Sequence, residues 1–269
     1  MTKEPSEKRR LWPSLYSEEE PIADVNAWIK VLAAIWFIYL LFNTKNPIGT
    51  LFTPSLAEFR MHGSLGLDIR LIFAGVLFLA LVLGSVWGAF GSTGVQRLFP
   101  RLRVRDGFLM LWYGLLNFLL KAVGSIIGGT VHGKYVEDNA SALDLGELDS
   151  WHNFWVVTGR DFFMFAGQVI ALILFFLVLY QIGKKVLPQD RRFFRGLTKV
   201  LAYLLAAAAY AALMTTPVAP NFGQNLWGFG LPALPLLAGY RRTRNVLVPI
   251  IGLFIFDRAL VILLLAVSI

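Results

Sequence analysis

The chain has 269 residues, 57% of them hydrophobic and only 16% charged, and its mean hydropathy is positive, which excludes an ordinary soluble domain. Its net charge of +8 comes from Lys and Arg in short stretches between apolar runs, a pattern that points to membrane topology and not to nucleic acid. With no cysteine, disulfides, thiolate metal sites and a cysteine nucleophile are excluded.

Residues 1–26 form a polar tail with Pro5, Pro13 and Pro21 and the acidic run Glu18 to Glu20. The tail has no apolar core of signal-peptide type, so the first membrane helix is expected to be retained. Residues 27–269 read as a transmembrane helical domain. Its apolar runs lie near 27–43, 70–90, 108–128, 162–182, 197–215, 225–240 and 246–267, each able to approach the roughly 30 Å of a bilayer core at about 1.5 Å per residue. The expected fold is therefore all-α, a polytopic transmembrane helix bundle of about seven spans. Pro232 and Pro235 predict a kinked or partly re-entrant sixth segment.

Orientation follows from the loops that hold Lys and Arg. Lys3, Lys8, Arg9 and Arg10 lie in the tail, and Arg97, Arg101, Arg103 and Arg105 follow the second run. Lys184, Lys185, Arg191, Arg192 and Arg195 follow the fourth, and Arg241, Arg242 and Arg244 the sixth. The alternate connections are uncharged or acidic, as in Glu137, Asp138, Asp144, Glu147 and Asp149. This pattern predicts a plasma (inner) membrane protein with a cytoplasmic N-terminus and an outer C-terminus. Thr53-Pro54 and Gly63 bracket an expected short outer helix, and a second is expected near 143–157, with Trp151 and Trp155 at the interface. Both read as membrane-surface padding or as docking sites for a partner.

No His-Glu-x-x-His cluster and no nucleophile elbow is present. His62, His132 and His152 fall in expected outer loops or helix ends without carboxylates at helical spacing, so they read as surface side chains and no metal or cofactor is expected. Inside the membrane, the polar candidates are Lys121, Gln168, Asp257 and Arg258, with Asn117 one turn before Lys121. Counting about 1.5 Å per residue from Phe108 and Val246 puts Lys121 and Asp257 at matching depths of roughly 20 and 17 Å. Either they pair across the bundle, or Lys121 and Arg258 snorkel outward and Asp257 pairs locally.

The order Gly239-Tyr240, a basic turn, then Asn245 to Pro249 resembles the last conserved block of the CAAX-protease and bacteriocin-processing (CPBP) family of intramembrane proteases. In that family the block continues to a His and, four residues on, an Asn; here these positions hold Leu253 and Asp257. Upstream, Asp190, Arg191, Arg195 and Gly196 are similar to the family's Glu-Glu-x-x-Phe-Arg-Gly motif, with Asp190 and Arg191 where glutamates stand. The family's Phe-x-x-x-His falls on Tyr210 and Met214. The likeness covers 187–265 and implies a catalytically degenerate member, a pseudoenzyme, because Leu253, Met214 and Arg191 cannot activate water as imidazole and carboxylate do.

The resulting expectation is a non-catalytic membrane protein in contact with lipid, a scaffold, assembly factor or accessory subunit for another integral membrane protein or a larger membrane complex. Gly124, Gly128, Gly129 and Ala206 to Ala209 offer close helix contacts, either to a partner or within the bundle. A divergent hydrolase using Asp257 or Asp190, and a small transporter or channel lined by Lys121, Gln168, Asp257 and Arg258, are the alternatives.

Overall fold

The computed structural model describes residues 25–42, 65–132, 151–215 and 221–268. The described residues are about 91% helical, with no strand among them. In chain order the long helices are α1 (Val25–Leu41), α2 (Leu65–Leu98), α3 (Val104–His132), α4 (Trp151–Val186) and α5 (Arg192–Leu213). A single turn, α6 (Phe222–Asn225), runs through a π-helical turn (Leu226–Gly230) into α7 (Leu231–Thr243), and α8 (Leu247–Ser268) follows. Each apolar run of the sequence lies on one of these helical stretches. Among the described residues α2, α3, α4 and α5 are long and apolar enough to cross a membrane, while α1 is apolar but shorter.

A helix apolar on every side belongs in the middle of a bundle. That helix is α4, in which every residue from Val169 to Val178 is buried. Around it the neighbours alternate in direction. Trp28 meets Phe90 and Tyr39 meets Phe78, so α1 runs against α2. Gly75 faces the Arg160 carbonyl and Gly167 faces Phe78, so α2 runs with α4. Gly183 packs on Thr198 and Phe176 on Tyr203, so α5 runs against α4. Across the bundle α3 runs with α8, and α7 runs against both. The Arg97–Arg105, Lys184–Arg195 and Arg241–Arg244 stretches consequently share one end.

Two backbone details shape that end. At Gly91 the chain takes φ 70° and ψ −173°, a region open essentially to glycine alone, and α2 breaks there. Arg244 is left-handed at φ 58° and closes α7 through its N–H to the Tyr240 carbonyl, 2.6 Å. Asn245 then caps α8, accepting from Leu247 N–H at 3.0 Å, and its amide donates to the Pro100 carbonyl at 2.9 Å. With Val246 N–H donating to Leu98 O at 3.1 Å, the foot of α8 is bonded to the end of α2.

The structure corrects the expected acidic connection between the 108–128 and 162–182 runs. α3 runs on to His132 and α4 starts at Trp151, so Trp151, Trp155 and Asp161 are helical, and Trp151 to Val157 open a long helix where a separate short one was expected. Residues 143–150, the helix expected at Thr53–Gly63, and His62 lie outside the described residues.

Candidate functional site

The α3–α8 seam brings the site together. Gly114 and Gly252 face each other so closely that a Cβ on Gly252 would sit 2.5 Å from the Met110 carbonyl oxygen. One turn further Phe118 lies on Phe256 (6.3 Å), and the next step sets Lys121 on Asp257, Nζ to Oδ1 3.2 Å. The snorkelling alternative is thus not the arrangement observed. Arg258, 6% exposed, turns inward and donates to Asp257 Oδ2 at 2.6 Å and to Asp161 Oδ2 at 3.0 Å. Asp161 also accepts from Arg160 Nε at 2.8 Å.

The result is an alternating chain, Lys121–Asp257–Arg258–Asp161–Arg160, that joins α3, α8 and α4. Each carboxylate bridges two cations, which is the condition under which charges survive burial. The Arg258 guanidinium also donates to the Thr158 hydroxyl (3.4 Å) and lies 5.8 Å from the centre of the Phe165 ring, while its Nε has no hydrogen-bond partner. Asp161 was legible in the sequence only as a loop acid, because its hydropathy window falls away beside Arg160. His152 is a surface side chain as expected, 67% exposed, and its Nε2 lies 2.9 Å from the Oδ2 of buried Asp68, a carboxylate that α2 supplies and spacing within one helix could not show.

Below the ion chain lies a cavity of about 70 Å³, walled by polar Asn117, Lys121, Gln168, Tyr210 and Asp257 among apolar neighbours that include Leu253 and Phe229. One wall is the interrupted helix. Its π-turn closes with Leu231 N–H donating to Leu226 O, and Pro232 supplies no N–H to the turn before it. Pro235 disturbs the next turn, and Asn117 there donates to the Pro232 carbonyl at 2.7 Å. The kink expected from these prolines is thus a π-turn within a continuous helical stretch. Gly124 packs on the Trp227 carbonyl, Gly128 meets the Trp227 side chain, and Ala206 and Ala207 are buried. These four small residues serve contacts inside the bundle.

Of the positions carried over from the resemblance, Tyr210, Leu253 and Asp257 line this cavity. Asp190, Arg191 and Arg195 do not. They sit at the start of α5, and the 18 residues from Arg192 to Tyr210 span about 27 Å. Met214 caps the far end of α5 without lining the cavity. Among the described residues no three His, Asp or Glu side chains gather as metal ligands would. No family model, curated protein or solved structure matches the chain. The likeness to the protease family therefore rests on the quoted residues alone.

Proposed function

We propose that this chain is a non-catalytic plasma-membrane protein, derived from a CPBP-type protease fold, that works by holding another integral membrane protein. The observation that carries this reading is the state of Asp257. Among the described residues it is the one carboxylate lining the cavity, and both its oxygens are engaged, by Lys121 and by Arg258. A general base must turn its oxygens onto a water, and each Asp257 oxygen is instead directed at a cation of the bundle. Beside it, where the resembled enzymes carry imidazole, stands Leu253. The gathering of the basic stretches at one end supports a seven-span topology with that end, and the N-terminus, in the cytoplasm.

Two measurements on the purified full-length protein test the reading. Gentle-detergent extraction is expected to bring a membrane partner in fixed stoichiometry. Hydrolysis of membrane peptides is expected to be nil; activity abolished by Asp257→Ala would defeat the proposal.

A further inference from the structure

We infer that the mid-membrane cavity is a binding site for a small monocarboxylate. Three observations converge on it. The first is charge: the chain Lys121–Asp257–Arg258–Asp161–Arg160 holds three cations and two anions, is short of one negative charge, and reaches the cavity through Lys121 and the Asp257 bonded to it. Asp257 sits closer to Arg258 (2.6 Å) than to Lys121 (3.2 Å), so the ammonium is the less well compensated cation. A monovalent anion beside it would complete neutrality in a setting where excess charge is costly.

The second is the set of donors. The ammonium has N–H bonds to spare beyond the one given to Asp257. The Gln168 amide and Tyr210 hydroxyl line the same cavity, and neither hydrogen-bonds to another described residue. Together they offer one charged and two neutral donors, enough for the two oxygens of a carboxylate. The third is size and access. About 70 Å³ is room for roughly five water-sized positions, the scale of formate or acetate and not of a phospholipid headgroup. The Lys121 side chain, 25% exposed, is the most accessible member of the ion chain. The π-turn that forms the opposite wall is a backbone irregularity of the kind found at functional sites. This inference does not depend on the protein having a membrane partner.

The test is a thermal-unfolding titration of the full-length protein in detergent with sodium formate, sodium acetate and sodium chloride at matched ionic strength. Acetate or formate is expected to raise the midpoint saturably, as a ligand of the folded state must, and chloride is not. Gln168→Leu and the conservative Tyr210→Phe are each expected to weaken the acetate response about tenfold, and Lys121→Met to abolish it. An equal shift with chloride, the absence of a saturable shift, or a wild-type response in folded Gln168→Leu and Tyr210→Phe proteins would each overturn the assignment.

Discussion

α8 is fastened to its neighbours at two places by opposite means. At its foot the bonds are neutral: Asn245 to Pro100, Val246 to Leu98, and the left-handed Arg244 folding the chain back. Midway along, they are ionic, through Asp257 and Arg258 to α3 and α4. The difference follows position. At the basic end cations can reach water, so backbone groups suffice to tie the helices. In the interior a single charge cannot stand, and a tie built there works only when every member is present.

Removing one member of the ionic tie should therefore have the largest effect. Asp257→Ala strands Lys121 and Arg258, and is expected to cost about 3–5 kcal/mol in detergent unfolding. A double-mutant cycle with Lys121→Met should show coupling of about 1–3 kcal/mol, and additivity would break the contrast. The seam beneath the ion pair comes next. Gly252→Val drives a side chain into the Met110 carbonyl and should cost about 2–3 kcal/mol, while also weakening any Lys121-dependent readout. At the foot, Asn245→Ala removes the cap of α8 and the bond to Pro100, for about 2 kcal/mol. This loss should be indifferent to salt. Gly91→Ala leaves all these bonds in place and puts a side chain where φ is 70°, and is expected to cost about 1–2 kcal/mol. The smallest effect belongs to Arg160→Ala at the end of the ion chain, about 1 kcal/mol, because Asp161 keeps its bond to Arg258, and it sharpens the comparison by separating an end member of the tie from a bridging one.

Much of this architecture was legible in the sequence, because lipid demands long apolar helices and loops betray themselves by charge. Lys121 and Asp257 could be matched by counting helical rises, since their two helices run the same way. Asp161 could not, because Arg160 and Asp161 lie just before the apolar run on α4, and the second cation that Asp161 needs for burial is Arg258, 97 residues later. The Asp68–His152 pair was hidden for the same reason. The π-turn left only its prolines as a trace, since the choice between a kink and an altered hydrogen-bond register is made by what Asn117 and Gly124 pack against. The motif positions near Asp190 read as neighbours of the cavity only through the borrowed pattern, and the length of α5 separates them.

The break at Gly91 has a mechanical side. Because Leu98 and Pro100 carry the foot of α8, a swivel of the short stretch beyond Gly91 moves that foot like the end of a lever, while Asp257 and Arg258 stay pinned. Torsion would then concentrate in the three turns between, the length of α8 where Gly252 slots against α3.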